Sequence, residues 1–222
     1  MIEKLKSTYG FTKTPFGRGL APQLLHRHGT HAEAVARIDW CISERGLGVV
    51  TGEVGAGKTV TVRAALAGLD SSRNTVIYLG NPTVGGRGLY SCIVTALGGI
   101  PRFHKAALIP QTTDLLAAEE HERGRHTTIV LDEAHLLDAD QLEELRLLTN
   151  SEMDSHSPFA CLLVGQPTLR RRIKLGTFAA HLAEKTDDPA RTAVRRIECR
   201  HFVGRIEGRI EQAHVAGQFS HR

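Results

Sequence analysis

The chain has 222 residues, 41% of them hydrophobic and 23% charged, which excludes disorder for its bulk and fits one to two domains. A net charge of +4 and a pI near 9.0 permit an anionic partner without requiring one. No apolar run approaches the roughly 18–20 residues of a membrane span, and residues 1–9 lack the apolar core of a secretory signal, so a cytoplasmic location is expected.

The first thirty residues are loop-rich, punctuated by Pro15-Phe16-Gly17 and Pro22, and are expected to pack on a core spanning residues 31–180. Helical spacing begins with Val35, Ile38 and Ile42 on one face. Residues 46–51 read as a short buried strand, followed by a glycine-rich turn and a helix from Lys58 to about Leu69. A second strand is predicted over Thr75–Leu79, ending at Gly80-Asn81-Pro82. Helices are predicted over Leu89–Leu97 and Thr113–Glu122, and a third strand over Thr128–Leu131. A helix over Gln141–Leu148 and a fourth strand over Ala160–Val164 complete the core. Short apolar strands alternating with helices predict an α/β fold, a parallel sheet covered on both faces.

From His181 the texture changes. Residues 181–222 carry eight Lys/Arg and six acidic residues with thinly spread apolar ones. A weak strand over Ile197–Val203 is the only candidate element, and a weakly ordered, atypical tail is expected over 181–222. The four cysteines (Cys41, Cys92, Cys161, Cys199) form no CxxC pair, and His26, His28 and His31 show no metal-ligand spacing. Neither a disulfide framework nor a zinc site is expected.

Gly52-Glu53-Val54-Gly55-Ala56-Gly57-Lys58-Thr59 satisfies G-x-x-x-x-G-K-[ST] between a strand and a helix. Glycines let the backbone curl so that successive N–H groups converge on phosphate oxygens, and the helix N-terminus adds positive potential. Lys58 is placed to reach the β- and γ-phosphates and Thr59 to bind Mg²⁺, and the residues from Gly52 to Val60 are expected to bind the nucleotide. The apolar run Thr128-Ile129-Val130-Leu131 ends in Asp132-Glu133. Period-2 geometry sends these two carboxylates in different directions, Asp132 toward the Mg²⁺ shell and Glu133 toward an attacking water. His135 reads as coupling this site to the next helix or simply packing.

Gln166, just past the fourth strand, is either a γ-phosphate contact or a turn residue before Pro167. Asn81 is either a hold on Glu133 or an Asn-Pro turn starter. Arg170-Arg171-Arg172 with Lys174 is the densest basic cluster. It reads as an arginine finger, a DNA phosphate contact or a solvated helix face.

Tyr9-Gly10-Phe11, Pro15-Phe16, Gly52 to Thr59, Leu131-Asp132-Glu133-Ala134-His135-Leu136-Leu137, Leu145 to Asn150 and Leu163-Val164-Gly165-Gln166-Pro167 with Leu169-Arg170 resemble the ExeA-type AAA+ ATPases, related to TniB, MuB and IstB. That resemblance covers residues 7–180. It implies an AAA+ P-loop NTPase core of sheet order 5-1-4-3-2, ATP and Mg²⁺ as cofactors, and ATP-driven assembly of like subunits. Double-stranded DNA and a transposase are the partners it implies. It further implies a sensor role for Gln166 and a switch role for Asn81. Members of the family continue with a fifth strand carrying Gln-Arg and a helical lid with a further arginine; the residues after Ala180 do not match, so the lid is expected to be absent or degenerate. Two readings follow. One is a Mg²⁺-dependent ATPase acting as a DNA-associated helper in transposition. The other is a low-turnover nucleotide-binding interaction module or remnant, a secretion-linked ExeA-like adaptor.

Overall fold

The computed structural model describes residues 7–10, 29–149, 157–175 and 194–198. The expected loop punctuation at 15–17 and 22, His26, His28, Asn150, Cys199 and most of the segment 181–222 lie outside the described residues.

In chain order the elements are α1 (Gly29–Ser43), β1 (Leu47–Thr51), α2 (Lys58–Leu66), β2 (Asn74–Leu79), α3 (Gly85–Ala96), α4 (Lys105–His121), β3 (His126–Leu131), a 3-10 turn (Ala134–Leu136), α5 (Ala139–Thr149), β4 (Phe159–Gly165), α6 (Pro167–Leu175) and β5 (Val194–Glu198). All strands pair in parallel in the order β2-β3-β4-β1-β5. This is the order that the resemblance implies.

Alternation along the central strands builds a core on each face. Phe159, Cys161 and Leu163 of β4 join Ile129 and Leu131 of β3 against Leu89, Ile93, Leu116 and Leu145 from α3, α4 and α5. Ala160, Leu162 and Val164 face the other way, with Val130 and Val50, against Ile38, Cys41 and Ile42 of α1 and Val62 and Ala65 of α2. Gly48 in β1 is a packing requirement. A Cβ there would lie 2.7 Å from Leu162 Cδ2 and 2.9 Å from Cys41 Sγ, so a side chain at this position would force the packing of β4 and α1 to shift.

Several boundaries differ from the sequence expectation. The four-strand core has a fifth member: β5 pairs with β1 from Leu47↔Val194 to Thr51↔Glu198. It lies at 194–198 rather than 197–203, and its Arg195, Arg196 and Glu198 hide it from an apolar pattern while suiting an edge position. Helix α4 begins at Lys105 and runs through Pro110, eight residues before the expected start. Proline inside a helix removes one donor and crowds the carbonyl four residues back, so Pro110 masks the helical pattern that precedes it. Helix α3 starts at Gly85, where poor helix formers (Gly85, Gly86, Gly88) mask the first turn.

Candidate functional site

Parallel strands put their C-terminal ends on one edge of the sheet, and register fixes which residues meet there. Thr51 pairs with Gly165, Leu131 with Leu163, and Leu79 with Leu131. The phosphate-type loop, Asn81, the Asp132-Glu133 pair and Gln166 therefore all follow strand ends on the same edge. Such an edge is where open α/β sheets bind ligands.

The loop between β1 and α2 turns on two glycines, Gly55 and Gly57, both at φ 81 in the left-handed region that side-chain-bearing residues avoid. Lys58 opens α2 and arches back across the loop, its Nζ donating to the carbonyls of Gly52 and Glu53 at 2.9 Å each. Thr61 Oγ1 ties α2 to Gly57 O at 3.0 Å. Thr59 Oγ1 donates to Asp132 Oδ2 at 3.4 Å, joining two motifs 73 residues apart.

Asp132 continues β3 by one residue, its N–H donating to Leu79 O at 2.9 Å. Its Oδ1 accepts from the Glu133 N–H at 2.9 Å, and its Oδ2 also accepts from Tyr78 Oη at 2.8 Å. Partial burial, the bond to Asp132 and the charges of Asp132 and Glu133 push the Tyr78 phenol up to about 12, so it remains a donor at neutral pH. The ring lies over Gly80, where a Cβ would come within 3.1 Å of Tyr78 Cε1. Sequence reading missed Tyr78. A tyrosine on the strand flanking the acidic strand is a faint signal, and only the β2–β3 register gives it meaning.

Glu133 stands at φ 52, ψ 32, the turn into the 3-10 segment. His135 Nδ1 lies 3.2 Å from Glu133 Oε2, so the histidine faces the carboxylate rather than only packing. Gly165, at the end of β4, leaves room for this turn, since a Cβ there would lie 3.1 Å from His135 N. Gln166 is half-buried and follows β4, the strand between β1 and β3, as expected of it. Its carbonyl accepts from Leu169 N at 3.0 Å, opening α6. Asn81 Oδ1 accepts from Thr83 N and Thr83 Oγ1 at 3.1 and 2.6 Å, a side-chain-closed turn of the kind Asn-Pro sequences start.

The three arginines do not form one patch. Successive residues of a helix point about 100° apart, and Arg172, although exposed, bends back on the fold, its Nη1 donating to His135 O at 2.7 Å and Leu137 O at 2.6 Å. Arg171 is exposed too and Arg170 half-buried.

The Thr59 hydroxyl and Asp132 carboxylate are hard oxygen donors, the chemistry Mg²⁺ takes alongside phosphate and water. Among the described residues no group of three or more His, Cys, Asp or Glu forms a metal cluster, and no helix is long and apolar enough to cross a membrane. Cys41 and Cys161 are buried free thiols, and burial beside Cys41 pushes the Cys161 thiol far up.

A model of the AAA domain family matches residues 41–173. General secretion pathway protein A of Aeromonas hydrophila is 31% identical over 172 residues, covering 75% of this chain and 30% of that protein. Cdc6p from Pyrobaculum aerophilum has the same fold, with a TM-score of 0.61 at 18% identity over 84% of this chain and 49% of that one. Aeropyrum pernix ORC2, solved in ADPNP–ADP complexes, gives a TM-score of 0.53 at 18% identity, covering 83% and 50%. The chain spans 30% to 50% of the length of these proteins.

Proposed function

This chain belongs to the AAA domain family, and on that footing we propose that it binds ATP with Mg²⁺ and hydrolyses it. The observation that carries the reading is the meeting of Thr59 and Asp132 at the end of the sheet, beside a loop whose backbone turns on Gly55 and Gly57. The residues from Gly52 to Val60 cradle the phosphates, and Lys58 exchanges its two loop carbonyls for phosphate oxygens. Thr59 and Asp132 hold Mg²⁺, which when bound neutralises charge on the phosphate oxygens. Glu133 accepts a proton from the attacking water, Gln166 contacts the γ-phosphate, and Asn81 biases Glu133 between engaged and disengaged positions.

Lys58→Ala should lower ATP affinity about 10–100-fold, since it removes charge-assisted bonds to phosphate. Glu133→Gln should instead keep affinity and lower single-turnover hydrolysis by about 10²–10⁴-fold. Wild-type affinity in the first variant together with wild-type hydrolysis in the second would sink the assignment.

For the setting of this activity, we propose a DNA-associated helper in transposition. ATP binding assembles subunits on double-stranded DNA beside a transposase, and hydrolysis releases them. A second reading, a secretion-linked module of low turnover, is favoured by the similarity to general secretion pathway protein A. Turnover measured with and without double-stranded DNA separates them: stimulation supports the helper, and tight ATP binding with no turnover in either case supports the module.

A further inference from the structure

Arg172 belongs to a cluster for which neither phosphate binding nor hydrolysis requires a role, yet its guanidinium reaches the backbone behind the acidic pair. We propose that Arg172 is a positioning residue for Glu133, acting within its own subunit by strapping down the 3-10 turn; the proposal rests on the reading of Glu133 as the water-activating base.

The turn has a deficit that Arg172 meets. A 3-10 segment satisfies its carbonyls from N–H groups three residues on, as Glu133 O and Ala134 O are by Leu136 N and Leu137 N. The next donor in that series, Asp138 N–H, goes instead to Gln141 Oε1 at 3.1 Å, while Gln141 N–H returns a bond to Asp138 Oδ1 at 2.7 Å. This reciprocal capping box starts α5 and leaves His135 O outside the turn's own ladder. Arg172 Nη1 supplies the bond, and a second one to Leu137 O, from 37 and 35 residues away. A cation at the carbonyl end of the turn also has the favourable sign.

The strap matters because Glu133 sits in a backbone conformation that its own side chain disfavours, at the junction of β3 and the turn. Holding residues 135 and 137 from outside fixes where that junction leaves the strand, and so where the carboxylate stands. The same helix begins immediately after Gln166, so the strap ties the strand end carrying Gln166 to the turn carrying Glu133. Both bonds run within one chain. A finger reaching a neighbouring subunit would have to break them.

The test compares full-length wild type with Arg172→Ala, Arg172→Lys and Glu133→Gln, by hydrogen exchange across residues 133–138 and by ATP binding and turnover. Arg172→Ala should speed exchange of the turn amides about tenfold, lower kcat about tenfold, and leave ATP affinity within about twofold, given the usual strength of charge-assisted bonds. Arg172→Lys, whose ammonium can donate to both carbonyls, should restore most of the protection and the rate. Glu133→Gln should lose hydrolysis while its turn stays protected as in wild type. Unchanged exchange in Arg172→Ala overturns the proposal. Recovery of turnover on mixing Arg172→Ala with Glu133→Gln overturns it too, because only a finger acting between subunits gives that result. Wild-type hydrolysis by Glu133→Gln would remove the role given to Glu133 and with it the positioning role, while leaving the strap itself visible in the exchange data.

Discussion

Glu133 is one of two non-glycine residues with positive φ among the described residues, a backbone state that costs about 1–2 kcal/mol for a residue bearing a Cβ. Strain of this kind persists where surrounding contacts over-determine it, and here the Asp132 carboxylate and the bonds of Arg172 both act on one turn. Glu133→Gly should therefore be more stable than Glu133→Ala by about 1 kcal/mol in urea unfolding, although neither retains the carboxylate. Equal midpoints would mean that the turn carries no strain. At this scale the placement of Lys58, Thr59, Asp132 and Glu133 at one edge of the sheet was legible because local spacing puts each just past a strand end. Tyr78 and Arg172 were not. Their roles exist only through partners 54 and 37 residues away, which no local pattern encodes.

Between elements, β2 and α4 are joined by a buried acid. Glu119, 1% exposed, accepts from Thr75 Oγ1 at 2.9 Å and pairs with Arg125 at 2.9 Å and with Arg123. Burial alone would raise its carboxyl above the ordinary 4.5, but the bonds from Thr75 and Arg123 and the charges of Arg125 and Arg123 hold it below that value. The native protein thus binds this proton less readily than the unfolded chain. Its contribution is complete above pH 4.5 and is lost as pH falls below it. Glu119→Gln should cost about 1–3 kcal/mol at pH 7 and show a smaller deficit at pH 3. A deficit that does not shrink at pH 3 would remove Glu119 from the acid response. The central strands β1, β3 and β4 were legible because both of their faces are apolar, and the edge strand β2 because it is a short apolar run, although its Val76 and Tyr78 are exposed. The start of α4 was hidden by Pro110, whereas the Asp138–Gln141 capping box stood in the sequence as a usable signal for α5, expected two residues late. Strand β5 was read only weakly and three residues late because three of its five residues are charged, a composition suited to an edge and uninformative about burial.

Across the whole molecule, β1 carries the phosphate loop and is flanked by β4 on one side and β5 on the other. A chain ending at Ala193 should keep the strands β2, β3 and β4 in their order yet present β1 as a bare edge. Lower unfolding stability and self-association visible by sedimentation are expected. A shortened chain that stays monomeric and as stable as the full one would mean that β5 contributes nothing to the sheet. The strand order also has a consequence in time. Leu47 pairs with Cys161 and Val194, so the loop's strand leaves the ribosome well before either of its neighbours exists. At roughly 5–20 residues per second, the interval between the synthesis of Leu47 and that of Val194 is roughly 7–30 s. Until β4 is made, the nascent chain holds an apolar strand, Leu47-Gly48-Val49-Val50-Thr51, with neither of its partners to pair with, and from then until β5 is made that strand is an edge. The shortened chain is a standing copy of the end of that interval. The earliest strand of the sheet is thus the last to gain both of its neighbours.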